Sequence, residues 1–151
     1  MAQPIVDLDR YLGKWYEIAK LPTPFEFPAA RNVTATYTKI PEWGVIQVEN
    51  QESVLGKRFR IQGYAVPVNA SNNRLKVYFP SVHTVGDYWI WNIAPNYSYA
   101  MVGSPDRQTL WILSRMPYLD DSILHSLLYR AHTQLGYDTR RVRLTDQTRD
   151  V

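Results

Sequence analysis

The fold of this chain is decided by the stretch Leu12-Gly13-Lys14-Trp15-Tyr16-Glu17-Ile18-Ala19. Its aromatic and apolar side chains continue until a proline at position 22, which favours a β-strand over residues 15–21. Side chains in a strand alternate between its two faces, so an inward Trp15 carries Glu17 and Ala19 to the same face. The stretch therefore predicts one strand whose inner face holds a large aromatic ring and a carboxylate.

Seven further segments show the same period of two, and turn-forming Gly, Pro, Asn and Asp residues separate them. These segments cover residues 32–40, 45–52, 57–66, 75–79, 87–94, 99–103 and 109–115. Short strands at this even spacing in a small protein are typical of a β-sandwich or a β-barrel.

One segment near the C-terminus departs from this pattern. Apolar side chains in residues 120–135 recur at helical spacing. Asp120 or Asp121 suits the start of this helix and Gly136 its left-handed end. Residues 137–144 alternate again, which predicts a last short strand.

This order of elements predicts an all-β fold. We expect an eight-stranded up-and-down antiparallel β-barrel with one C-terminal α-helix packed outside it, in a single domain of residues 1–151. The absence of cysteine excludes a disulfide scaffold, a thiolate metal site and a cysteine nucleophile. The five Trp and eleven Tyr against four Phe suit a pocket that is mostly apolar but needs a few hydrogen bonds.

Three stretches of the chain resemble motifs of the lipocalin family. The stretch quoted above resembles the G-x-W motif of the first strand, and Leu110-Trp111-Ile112-Leu113-Ser114-Arg115 resembles the strand-H motif that ends in arginine. Ala94-Pro95-Asn96-Tyr97 stands where most members carry T-D-Y, and it keeps only the tyrosine. Within the family, Trp15-Tyr16-Glu17-Ile18-Ala19, Gly86-Asp87-Tyr88-Trp89 and residues 110–115 look most like the bacterial outer-membrane lipocalin, apolipoprotein D and plant temperature-induced lipocalin group.

The resemblance implies binding and transport or storage of a small hydrophobic ligand, such as a fatty acid or a lysophospholipid, without a cofactor. The signature residues Gly13, Trp15 and Arg115 are expected to be structural. A barrel of about eight strands is wide enough for one small ligand, so one of its ends must be plugged. Trp15 under the Arg115 guanidinium would supply that plug, with a cation–π contact worth about 1–2 kcal/mol.

The candidate ligand-binding residues come from the inward rows of the predicted strands. Resemblance to apolipoprotein D implies pocket roles for four of them, and alternation along the strands agrees with that placement. These four are Tyr37, Asn50, Phe79 and Trp111. We expect the polar members to hydrogen-bond a ligand and the others to pack on its apolar body, although some of the aliphatic ones could simply fill the lower barrel. The seven candidates are Tyr37, Val48, Asn50, Val77, Phe79, Trp111 and Leu113.

An enzyme is the alternative hypothesis, because some barrels of this family are isomerases. Glu17 and Glu52 could both face inward, and two carboxylates in an apolar barrel could do acid–base work. We nevertheless assign no catalytic residue. His83, His125 and His132 lack the spacing of metal ligands, so no metal site is expected.

The remaining expectations concern partners and location. The net charge of +3 is spread along the chain instead of forming one dense stripe, which argues against nucleic-acid binding. The hairpin Tyr88-Trp89-Ile90-Trp91 is apolar on both faces and could cover the helix, a second copy or a membrane, with the helix favoured. We expect a monomer or weak homodimer, with peripheral membrane contact left open. Residues 1–6 show no signal-peptide pattern, which predicts a cytoplasmic or membrane-peripheral protein, or a secreted or periplasmic one if a leader has been removed.

Overall fold

The computed structural model describes residues 3–22 and 30–148. Helix α1 (Leu8–Tyr11) precedes the first strand, helix α2 (Asp121–Thr133) follows the eighth, and short 3₁₀ helices cover Pro80–Val82 and Thr139–Arg141. The described residues form nine strands: β1 (Gly13–Lys20), β2 (Arg31–Ile40), β3 (Val45–Val54), β4 (Lys57–Pro67), β5 (Arg74–Phe79), β6 (Thr84–Ile93), β7 (Tyr99–Gly103), β8 (Leu110–Ser114) and β9 (Arg143–Leu144).

The first eight strands close into an antiparallel up-and-down barrel. Each strand pairs with the next one along the chain, and β8 returns to pair with β1. The short strand β9 adds to β1. The predicted eight-stranded barrel with a C-terminal helix is therefore confirmed. Neither helix of the described residues has the length and apolar character needed to cross a bilayer.

Apolar side chains form two cores, one on each face of the barrel wall. The inner core includes Trp15, Tyr37 and Val77. The outer core joins the wall to one face of α2, through residues such as Ile112 on β8 and Leu127 on the helix. This division follows from the period of two in the strands, because alternate residues face the barrel interior and the helix.

The hairpin tryptophans belong to the outer core. Trp91 is buried there, and its indole N–H donates to the hydroxyl of Tyr137 at 2.9 Å, just beyond α2. Trp89 packs against the same core, 5.4 Å from Trp91 between ring centroids. The helix is thus what covers Trp91, the first of the three coverings considered for this hairpin.

Both ends of α2 lie where the sequence places them. The Asp120 carboxylate accepts a hydrogen bond from the backbone N–H of Ser122 at 2.9 Å, which satisfies one of the free donors of the first turn. Beyond the last turn, Gly136 takes the left-handed conformation with φ of +78°. A residue with a Cβ would be strained there.

Two predicted details are wrong. A β-bulge in β1 turns Ile18 and Ala19 to the outer core together, so Ala19 does not share the inner face with Glu17, and Lys20 comes opposite Trp111 instead. The last strand is also shorter than the predicted 137–144. Thr139–Arg141 within that segment form a 3₁₀ turn, because the Asp138 carboxylate accepts from the N–H of Arg140 and bends the chain before β9.

Candidate functional site

One end of the barrel is closed by a plug of stacked side chains. Trp15 is fully buried, and the guanidinium carbon of Arg115 lies 3.7 Å from the centroid of its indole ring. Arg115 also donates to the backbone carbonyls of Arg10 at 2.8 Å and Lys14 at 3.0 Å. Gly13 has a φ of +102°, and a Cβ at this position would lie 3.3 Å from the Arg115 guanidinium. The arginine therefore ties α1, β1 and β8 together across this end.

Three tyrosines lie above the plug, and hydrogen bonds connect their hydroxyl groups. Tyr37 donates to the hydroxyl of Tyr88 at 2.9 Å, and Tyr88 is also hydrogen-bonded to Tyr11. Burial raises the pKa of Tyr37 to about 12, and it raises the pKa values of Tyr11 and Tyr88 well above the usual value. We call Tyr11, Tyr37 and Tyr88 the tyrosine cluster. It fills the closed half of the interior with neutral, mutually bonded phenols.

The strand register shows how the interior opens away from this cluster. One row of paired residues runs from Trp15 on β1 through Ala35 and Asn50 to Ile61 on β4. Because barrel strands tilt relative to the barrel axis, such a row also climbs from one end towards the other. Trp15 is fully buried, whereas Ala35, Asn50 and Ile61 are only half-buried. The row therefore passes from a packed floor to a solvent-accessible upper interior.

Two aromatic rings line that upper interior. The ring of Phe79 lies close to Gly63, where a Cβ would come within 2.6 Å of it, so the missing side chain makes room for the ring. Trp111 on β8 is paired with Val102 and packs against the inner core. Both rings are half-buried. They offer apolar faces that the fold itself does not cover completely.

Asn50 is a polar group within this apolar lining. Its neighbours in the register are Ala35 and Ile61. Its side-chain amide makes no hydrogen bond to any residue among 3–22 and 30–148. A half-buried amide with free donors and acceptors can orient a polar group of a bound molecule.

The wall of the open half includes residues 143–148, which we call the C-terminal tail. The β1–β2 ladder stops part-way along the two strands, and residues 143–148 continue the wall beyond that point. The Gln147 amide donates to the backbone carbonyls of Glu17 and Val33, each at 2.8 Å. The Thr145 hydroxyl donates to the Glu17 carboxylate at 2.5 Å, and Lys20 Nζ lies 4.0 Å from the same group. Glu17 thus holds the tail in place and pairs with a lysine.

The candidate ligand-binding residues fall into two groups. All seven reach the barrel interior, as Tyr37, Val48, Val77 and Leu113 in the buried core and Asn50, Phe79 and Trp111 at half-buried positions. Sequence reasoning missed Lys20 and Ile61. The bulge that redirects Lys20 leaves no signal in the composition of β1, whereas Ile61 could have been found by extending alternation to strand β4. Contact of any of these residues with a ligand stays a prediction.

Comparison with known proteins identifies the family. Residues 6–147 match the model of a lipocalin-like domain. This chain belongs to the lipocalin family. It is 36% identical to temperature-induced lipocalin-1 of Arabidopsis thaliana, covering 95% of this chain and 80% of the plant protein. It is also 36% identical to the outer membrane lipoprotein Blc of Vibrio cholerae, with coverages of 93% and 83%. Both relatives come from the group that the sequence motifs resemble.

Solved lipocalin structures agree with the fold. Insecticyanin from the tobacco hornworm Manduca sexta superposes with a TM-score of 0.75, covering 97% of this lipocalin and 83% of its own chain. The identity is 19%, so this likeness concerns the fold alone. Members of the lipocalin family bind small hydrophobic ligands, and neither of the two relatives above is named as an enzyme.

Proposed function

We propose that this lipocalin binds and transports or stores a small hydrophobic molecule with an acyl chain, such as a fatty acid or a lysophospholipid, in the upper half of the barrel. The observation that carries the proposal is the change in burial along the interior. Trp15 and the tyrosine cluster close one half, whereas Ala35, Phe79 and Trp111 leave apolar surface accessible in the other.

The energetics favour an acyl ligand in this position. Each methylene buried in the apolar lining contributes about 0.8 kcal/mol, so a chain in contact with Phe79 and Trp111 gains affinity with its length. The polar head would remain near the mouth, where the Asn50 amide has unused hydrogen-bonding capacity. An ordinary alkane would leave that amide unsatisfied.

Trp111 fluorescence tests the proposal directly. We expect titration with palmitate or lysophosphatidylcholine to shift or quench the emission and to raise the melting temperature of the protein. A Trp111→Phe variant should keep the rise in melting temperature while losing most of the optical change. A Trp43→Phe variant is the matched control, because Trp43 is 67% exposed and lies in the turn between β2 and β3. If neither ligand changes emission or melting temperature, the proposal is wrong for these lipids.

Catalysis by paired carboxylates is the weaker alternative. The Glu17 carboxylate already accepts from Thr145 and lies beside Lys20, which makes it a structural group of the barrel wall. An acid–base role would therefore fall to Glu52, which is half-buried on β3. Turnover of lipid, quinone or prostanoid substrates with a bell-shaped pH profile, lost in Glu52→Gln, would favour the enzyme.

Peripheral membrane contact is proposed at the mouth of the barrel. The rim carries exposed apolar side chains, including Leu55 in the β3–β4 turn, Val82 in the 3₁₀ turn and Val85 on β6. Apolar side chains at the entrance would let a lipid pass from a bilayer without crossing water. A triple Leu55→Ser, Val82→Ser, Val85→Ser variant should sediment less with phosphatidylcholine vesicles. Unchanged sedimentation would remove this rim as the contact.

A further inference from the structure

A second concave site lies on the outer face of the barrel, separate from the ligand-binding interior. It is a groove of about 460 Å³ over β1 and β2. Gln147 and Thr148 of the C-terminal tail contribute to its lining, as do Met116 and Pro117 of the connection between β8 and α2. The tail and this connection therefore both border the groove. We call it the outer groove.

The lining of the outer groove carries three cations. Lys14, Arg58 and Arg115 all contribute to it, and no aspartate or glutamate is among the described residues that line it. Three formal positive charges around one concavity raise its electrostatic potential, because no carboxylate of a described residue stands among them in the lining. Such an arrangement lowers its free energy when it takes up an anion.

The hydrogen bonds of these cations leave their charges unbalanced. Within the described residues, Arg115 donates to backbone carbonyls, and Arg58 donates to the side chains of Gln51 and Ser53 and to a backbone carbonyl. The Nζ of Lys14 lies 4.8 Å from the centroid of the Tyr16 ring. All these partners are neutral groups. The Nη2 of Arg58 makes no hydrogen bond to a described residue, so part of the guanidinium is available.

Neutral donors stand beside the cations. Tyr16 and Thr34 present hydroxyl groups from the sheet surface that forms the floor of the groove. Neither hydroxyl is hydrogen-bonded to a residue within 3–22 or 30–148. A tetrahedral oxyanion needs several donors from different directions as well as positive charge. An arginine supplies paired N–H groups in a planar fork, a lysine supplies a point charge, and hydroxyls fill the remaining directions.

We propose that the outer groove binds a phosphate-type anion, either as free phosphate or as the headgroup of a phospholipid. Among the described residues, three cations and two hydroxyls without a described hydrogen-bond partner line the groove and no carboxylate does, and this combination selects the chemistry. The site lies on the face of the wall opposite the barrel interior. If the outer groove does not bind an anion, the proposed acyl-chain binding in the interior is unaffected. If the interior does not bind an acyl chain, the anion proposal is likewise unaffected.

The test uses the whole chain and compares two double variants that each remove two positive charges. Lys14→Gln/Arg58→Gln changes the outer groove and spares the Arg115 plug. Lys39→Gln/Arg141→Gln is the matched control, because both residues are exposed and neither lines the groove. Binding of inorganic phosphate is followed by backbone amide NMR shifts, and binding of vesicles by sedimentation with phosphatidylglycerol or phosphatidylcholine.

The expected result is a saturable shift of Tyr16, Thr34 and Gln147 resonances with phosphate, with a Kd of about 1 mM. The Lys14→Gln/Arg58→Gln variant should weaken binding about tenfold or more, while the control stays within about twofold because distant exposed charges are screened. If phosphate binds in this way, the site accepts the free anion. If only phosphatidylglycerol vesicles bind, and the groove variant alone loses them, the lipid headgroup is the source.

Three results would overturn the proposal. One is the absence of any response to either probe. Another is an equal loss of binding in the two double variants, which would show a diffuse effect of net charge. The third is shifts that fall on inner residues such as Asn50 instead of on the groove. Circular dichroism of both variants shows whether they are folded, and the single variant Lys14→Gln replaces the double one if Arg58 proves necessary for folding.

Discussion

The two ends of this barrel use the same kinds of side chain for different purposes. At the closed end, the ring of Trp15 is fully buried beneath a guanidinium, and the tyrosine cluster satisfies its hydroxyls internally. At the open end, Trp111 stays half-buried and the Asn50 amide has no described partner. Aromatic and polar groups that contact and hydrogen-bond one another close the barrel, whereas the same kinds of group at the open end leave surface accessible for the ligand that we propose.

Removing one tryptophan from each end should separate these roles. We expect Trp15→Ala to lower the free energy of unfolding by about 3–5 kcal/mol, because it leaves a cavity under Arg115. We expect Trp111→Ala to cost only about 1–2 kcal/mol, since part of that ring is already in water. Urea unfolding followed by circular dichroism measures both. Equal losses would mean that Trp111 is as much a part of the core as Trp15.

The boundary between the two ends can be disturbed at Gly63. A Cβ there would meet the Phe79 ring and the Tyr78 carbonyl oxygen, each at 2.6 Å. We expect Gly63→Ala to cost about 1–3 kcal/mol through overpacking, and to weaken acyl-ligand binding because Phe79 must move. Gly86→Ala is the matched control, since a Cβ there meets nothing within 4 Å. A stable Gly63→Ala variant with unchanged affinity would contradict the inferred position of the ring.

Alternation and the motifs predicted the barrel, the plug and the inner rows, because a period of two fixes which residues share a face. The motif resemblance supplied the inward direction of Trp15, and alternation along β3 and β5 agreed with inward positions for Asn50 and Phe79. The alternation rule fails at β1, where one extra residue in the bulge places Lys20 instead of Ala19 opposite the inward-facing Trp111. A bulge depends on the register with β8 and not on the residues of β1, so a single strand could not reveal it.

The candidate site was predictable in outline but not in its division into two halves. Tyr37 met the criteria for a ligand contact, being polar and inward-facing. Its hydroxyl is instead bonded to Tyr88, and Tyr11 comes from α1, a helix too short to leave a clear periodicity. Partners contributed by three separate elements are a property of the tertiary structure. The role of the tail also escaped prediction, because Gln147 acts through backbone carbonyls of β1 and β2.

High pH should lower the stability of the protein through the tyrosine cluster at the closed end. A tyrosine whose pKa is raised on folding stabilises the protein below the ordinary pKa of about 10, and that contribution is lost as the pH rises through the higher folded value. For Tyr37 the window therefore lies between about pH 10 and 12. The free energy of unfolding should fall with pH in this range, measured by urea titration alongside phenolate absorbance.

Tyr37→Phe isolates that effect. At neutral pH the variant should lose about 1 kcal/mol with the hydrogen bond to Tyr88, and its stability should then decline less between pH 10 and 12 than that of the parent. Tyr129→Phe is the control, because Tyr129 is 70% exposed on α2. Identical pH profiles for the parent and Tyr37→Phe would show that this buried phenol does not govern alkaline stability.

The smallest change in stability is expected at the open end, from Asn50→Leu. The amide makes no hydrogen bond that this substitution would break within the described residues, so the free energy of unfolding should change by less than about 0.5 kcal/mol. Affinity is the sensitive quantity. Binding of palmitate should weaken by about 1 kcal/mol if its head uses the amide, whereas a hydrocarbon of equal length should bind as well or better. Asn50→Leu and Tyr37→Phe each remove one inward polar group. The comparison therefore shows whether that group serves stability, as expected for Tyr37, or ligand affinity, as expected for Asn50. If Asn50→Leu instead destabilises the fold while leaving both affinities unchanged, Asn50 belongs with the closed end.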